Sequence, residues 1–168
     1  ISGDSLIFGN TAGVTTLNND FTAATAGFYV GTMTFDAGAP AYTIGGNNII
    51  GVPGGVTTNG TSTAFVVNSA SGVTQTINNS FTLFQNAVSI TGSGDLTLGG
   101  SITKGGTWNP FLQMNGTGVL TINGQIQGTN KSVTKDGEGI LALNNGSNSF
   151  TNGFIMNAGT VRIGTDGV

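Results

Sequence analysis

The chain has 168 residues, of which 30 are Gly and only 7% are charged; it contains no Cys and no His, and its net charge is −3. These features exclude disulfide frameworks, thiolate nucleophiles, Ser-His-Asp and Cys-His arrangements, and zinc sites built on His or Cys. Intrinsic disorder is excluded too, because it requires low hydrophobicity with high net charge, whereas 37% of this chain is hydrophobic and ten residues are Phe.

With so little charge, the surface must be covered by Thr, Asn, Ser and Gln, as in repetitive extracellular β proteins. The four cations, Lys104, Lys131, Lys135 and Arg162, are scattered and form no basic face, so no nucleic-acid partner is expected. No run approaches the roughly 18 apolar residues of a spanning helix, so no membrane insertion is expected within this segment. Ile1-Ser2-Gly3-Asp4 has neither an initiator Met nor a signal-sequence pattern, which suggests processing, trimming or a piece of a longer protein.

In chain order, the first half offers short alternating runs: Ser5-Leu6-Ile7-Phe8, Thr32-Met33-Thr34-Phe35, Ala41-Tyr42-Thr43-Ile44, Thr63-Ala64-Phe65-Val66-Val67, Gln75-Thr76-Ile77, Phe81-Thr82-Leu83-Phe84 and Ala87-Val88-Ser89-Ile90. Around Thr22 to Thr25 the small residues Ala23, Ala24 and Ala26 allow a helical turn, but Gly27 follows at once and the flanking aromatics favour strand. In the second half one unit recurs. Gly94-Asp95-Leu96-Thr97-Leu98-Gly99-Gly100 returns as Gly118-Val119-Leu120-Thr121-Ile122-Asn123-Gly124, as Gly139-Ile140-Leu141-Ala142-Leu143-Asn144, and as Gly159-Thr160-Val161-Arg162-Ile163-Gly164. Its period of roughly 20 to 24 residues is that of a supersecondary unit which buries its apolar face only by stacking on its neighbours.

Within each unit the first and third apolar side chains point to one face and the middle residue to the other. Gly and Asn at the strand ends accept the backbone conformations of tight corners. The reading is an all-β chain forming a single β-solenoid domain over residues 1–168, with irregular coils over 1–92 and regular repeats over 93–168. A β-sandwich is the competing architecture, but it does not require one unit to recur with its turn residues in place. The pairs Asn18-Asn19, Asn47-Asn48, Asn78-Asn79 and Asn144-Asn145 fall at corners, either as amide ladders along the axis or as simple turn residues.

The stretch Ser132-Val133-Thr134-Lys135-Asp136-Gly137-Glu138-Gly139-Ile140-Leu141-Ala142-Leu143-Asn144-Asn145 is followed by Asn148-Ser149-Phe150-Thr151-Asn152-Gly153 and by Asn157-Ala158-Gly159-Thr160-Val161-Arg162-Ile163-Gly164. It resembles the passenger-associated repeat of bacterial autotransporters. Phe150 stands where that repeat often has Tyr, Asn152 stands near a usual Gly, and Gly153-Phe154-Ile155-Met156 replaces a common Gly-Thr-Thr run. The resemblance implies a right-handed parallel β-helix in an exported protein of the bacterial surface, serving as a stalk, adhesin or extracellular fibre.

Carboxylate chemistry needs two acids about 5 to 9.5 Å apart on one face. The acids are Asp4, Asp20, Asp36, Asp95, Asp136, Glu138 and Asp166. Only Asp136 and Glu138 are neighbours, and they fill a turn that is Gly-rich and small in the other units. The Gly pairs precede no Lys-Ser/Thr and open no helix, and the nonapeptide of calcium-binding β-rolls is absent. No cofactor, metal or catalytic residue is therefore assigned, and the chain is read as a non-enzyme.

Trp108-Asn109-Pro110-Phe111 interrupts the repeat, so Trp108 and Phe111 are the candidate contact residues, for a glycan or a neighbouring chain, or else they fold back on the solenoid. A solenoid's end rungs carry unpaired backbone groups, and neither Ile1 to Phe8 nor Thr160 to Val168 reads as a polar cap. The expected partners are accordingly other copies head to tail or flanking coils of a longer protein, with a glycan-binding adhesin as the alternative role.

Overall fold

The computed structural model describes residues 4–10, 13–21, 28–51, 63–83, 87–104, 111–114, 116–128 and 132–164. Every strand pairing among them is parallel. Parallel neighbours need a long crossover between them, and here the crossover is one full coil. This is a β-solenoid; an antiparallel sandwich is ruled out.

Three columns of strands build it. The first stacks β1 (Asp4–Phe8), the second half of β3 (Phe28–Phe35), β6 (Thr63–Val67), β9 (Ala87–Thr91), β12 (Phe111–Met114), β15 (Val133–Asp136) and β18 (Phe154–Met156). The second stacks β2 (Thr16–Asn19), β4 (Thr43–Gly46), β7 (Thr74–Ile77), β10 (Asp95–Leu98), β13 (Val119–Ile122), β16 (Ile140–Leu143) and β19 (Thr160–Ile163). The third begins with the first half of β3 and continues through β5 (Ile49–Gly51), β8 (Phe81–Leu83), β11 (Ile102–Lys104), β14 (Ile126–Gly128) and β17 (Ser149–Phe150). β3 joins the first and third columns because Phe28 to Val30 pair with β5 whereas Met33 to Phe35 pair with β6.

Alternation decides what fills the tube. In the second column one inward row runs Leu17, Ile44, Ile77, Leu98, Ile122, Leu143 and Ile163, each in register with the next. The third column contributes Ile49, Phe81, Ile102 and Ile126, all buried. Rungs of a sheet lie about 4.8 Å apart, so each aliphatic side chain sits directly on the one below, and burial of each is worth about 1.5 to 3 kcal/mol. The outward row of the second column is Thr16, Thr43, Thr76, Thr97 and Thr121, then Ala142 and Arg162. A β-branched hydroxyl residue suits a half-exposed pleated surface.

The early coils are filled differently. Phe8 stacks on Phe35 with ring centroids 4.7 Å apart, Tyr42 lies 5.3 Å from Phe8, and its hydroxyl donates to the Gly9 carbonyl at 2.8 Å. Phe65 and Phe81 meet edge to face at 5.7 Å. Coil length follows the same division. Leu17 and Ile44 are 27 positions apart and Ile44 and Ile77 are 33 apart. Beyond them Ile77, Leu98, Ile122, Leu143 and Ile163 follow at steps of 21, 24, 21 and 20. The expected period of 20 to 24 thus holds for the later coils, and the first two are longer.

Candidate functional site: the stacked corners and the end rungs

Corners are the places where polar groups are built into this tube. Alternation turns Lys135 inward in β15, where it is fully buried between Val133 and the next corner. An ammonium in that position must find acceptors, and its Nζ donates to the carbonyls of Asp136 at 2.9 Å, Gly137 at 2.6 Å and Ala158 at 3.1 Å. The first two belong to its own coil and the third to the next, so one side chain clips two corners together. Burial pushes the lysine below its usual range, while the carboxylates of Asp136 and Glu138 pull it back up. Gly159, at φ +75°, is required beside it, since a Cβ there would crowd both Nζ and the Gly137 carbonyl.

The Asn pairs work mainly through their second members. Asn19 Nδ2 donates to the Asn47 carbonyl at 3.0 Å, Asn79 Nδ2 to the carbonyls of Gly45 and Asn47, both at 2.8 Å, and Asn145 Nδ2 to the Asn123 carbonyl at 3.1 Å. Each ties its corner to the adjacent coil. A side-chain amide ladder forms between Asn144 and Asn123, at 2.9 Å. It does not extend through Asn78, because Gly99 occupies the intervening rung. Gln75 is a polar residue in an otherwise apolar row, in register with Leu96. Its Oε1 accepts from Tyr42 N–H at 2.8 Å and its Nε2 donates to the Pro40 carbonyl at 3.0 Å. Among the described residues, the buried Ser69 Oγ and Asn79 Oδ1 have no hydrogen-bond partner.

The carboxylates are dispersed. Asp20 and Asp36 are exposed, Asp95 Oδ1 accepts Val119 N–H at 2.9 Å from the next rung, and Asp136 Oδ1 accepts Gly137 N–H at 2.9 Å. Glu138 is exposed on the same turn. Of Asp4 only the backbone, in β1, is described, and Asp166 lies outside the described residues. No group of three or more acids that could hold a metal ion occurs among the described residues.

Trp108 also lies outside the described residues. Phe111 opens β12, where its backbone is in register with Ala87 and Thr134. The repeat therefore resumes at Phe111, one position earlier than a loop through 111 would have it. Lys135 is the residue that composition and motif searching passed over as a site. Its signal is local: a lysine two places after a buried valine in an alternating strand must point inward.

Comparison with family models, with curated proteins and with solved structures gives no match to this chain.

Proposed function

We propose that this chain is a non-catalytic structural segment, a β-solenoid section of a bacterial surface stalk or fibre that acts outside the cell. The observation that carries the reading is the inward row of the second column, which passes through seven rungs from Leu17 to Ile163 in unbroken register. A tube filled this way behaves as a one-dimensional object whose length and stiffness grow rung by rung. Its polar residues at the corners are engaged in tying coils together, as Lys135, Asn19, Asn79 and Asn145 do. The uncharged Thr-rich exterior and the resemblance of residues 132–164 to the passenger-associated repeat support an exported location.

Immunogold labelling of intact, unpermeabilised source cells tests the reading. Label on the outer surface, lost after brief external protease treatment, is the expected result. Label that appears only after permeabilisation, or turnover of an acidic polysaccharide that disappears in the Asp136→Asn, Glu138→Gln double variant, overturns it.

A further inference from the structure

Asn is a thermolabile residue, and most so before Gly, where no side chain shields the following backbone nitrogen. The pair occurs at Asn59-Gly60, Asn115-Gly116, Asn123-Gly124, Asn145-Gly146 and Asn152-Gly153. Asn59, Gly60 and Asn115 lie outside the described residues. The fold treats the other three pairs differently.

At the first, Asn123 Oδ1 accepts from Asn144 Nδ2 at 2.9 Å and the Gly124 N–H donates to the Leu98 carbonyl at 3.3 Å. A Cβ on Gly124 would overlap the Gly100 carbonyl, so there is no room beside that nitrogen. At the second, Asn145 Nδ2 donates to the Asn123 carbonyl at 3.1 Å and Oδ1 accepts the Ser147 N–H at 2.8 Å. Both side-chain amides are fixed by these bonds, and either corner must open before its amide can turn onto the backbone.

Asn152 is exposed in the turn between β17 and β18. Among the described residues, no hydrogen bond engages its side-chain amide or the Gly153 N–H. The turn does rest on the coil below, since the Gly153 carbonyl accepts the Val133 N–H at 3.1 Å. That coil nevertheless takes no bond from the Asn152 side chain, whereas Asn145 is tied to the coil beneath it. At Gly153, with φ +89°, a Cβ would meet nothing within 4 Å. The amide can swing, and the space beside the nitrogen is open.

We infer that Asn152 is a self-modification site. The Gly153 nitrogen attacks Asn152 Cγ, the side-chain nitrogen leaves as ammonia with the proton that the backbone nitrogen gives up, and a succinimide ring closes. Water then opens the ring. Cleavage between Cγ and the nitrogen gives aspartate; cleavage between the main-chain carbonyl carbon and the nitrogen gives isoaspartate, in which the chain runs through Cβ and Cγ. Water is the sole co-reactant. Either product adds a carboxylate to a surface poor in charge. Isoaspartate also lengthens the main chain just before Phe154, the residue in register with Val133. The modification does not depend on the proposed structural role.

Peptide mapping by mass spectrometry, on the wild-type chain held in warm neutral buffer and sampled over time, tests the inference. Asn152 is expected to convert at least about tenfold faster than Asn123 and Asn145. In concentrated urea, where the corners are lost, the three rates are expected to converge. Hydrogen exchange on the isoaspartate form, separated by reversed-phase chromatography, is expected to show the Val133 amide exchanging about tenfold faster, because its acceptor is displaced. Equal rates at the three positions in buffer, or conversion of Asn123 or Asn145 ahead of Asn152, overturn the inference. A preference for Asn152 that persists in urea overturns its geometric basis, and unchanged exchange at Val133 overturns the effect on β18.

Discussion

Replacing Lys135 by Met separates the ammonium from the space it fills. The stem is replaced by a side chain of similar length in a row that already holds Met156 on the following rung, so the tube stays filled. What is lost is the donor to three carbonyls, those of Asp136, Gly137 and Ala158. Each carbonyl left without its partner costs about 1 kcal/mol, and about 1 kcal/mol is recovered because a charge is no longer buried. The expected net loss is about 2 kcal/mol, confined to the coils that the lysine clips. Hydrogen exchange reads this directly: amides of β15, β18 and β19 should exchange roughly thirtyfold faster in the variant, while those of β7 and β10 change little.

The lysine also makes this difference depend on pH. Its folded pKa lies below the ordinary value of 10.5 because of burial, so the unfolded chain binds more protons between the two values. Its contribution to stability therefore rises with pH through that window and levels off above 10.5, and the gap between wild type and Lys135→Met should widen as pH approaches that value. A Met variant with unchanged exchange in β15 and β18, or a gap that narrows with rising pH, refutes the reasoning.

Two further substitutions test the corners and the row. Gln75→Leu places the residue found at Leu96, Leu120 and Leu141 into the same row, yet it should destabilise the fold by about 1 to 3 kcal/mol in urea melts, because Tyr42 N–H and the Pro40 carbonyl lose their partners. A gain in stability would show that apolar filling outweighs those two bonds. Gly124→Ala should cost about 1 to 3 kcal/mol in the same assay, since its Cβ would overlap the Gly100 carbonyl of the coil below and the strands would have to part; a neutral result would mean that this corner is looser than its geometry indicates.

Much of the architecture was legible in local pattern. Leu96-Thr97-Leu98, Leu120-Thr121-Ile122 and Val161-Arg162-Ile163 alternate with period two between Gly and Asn corners, and that is enough to specify short strands, an inside, an outside and a repeat of roughly 20 to 24 residues. Ile49–Gly51, Ile102–Lys104 and Ile126–Gly128 give no strand signal in the sequence, because three residues with a single inward apolar position carry no periodicity of their own. They become strands by resting on the rung below.

Sequence alone also determined that these 168 residues contain no thiol and no imidazole. Tertiary structure decided which residues share a row. Whether Asn123 meets Asn144 or Gly99 separates it from Asn78, whether Gln75 replaces a leucine, and which carbonyls surround Lys135 all depend on how many residues each corner consumes. That number is invisible in one coil and is set only when the next coil lies upon it, because stacking, and not local preference, fixes the register.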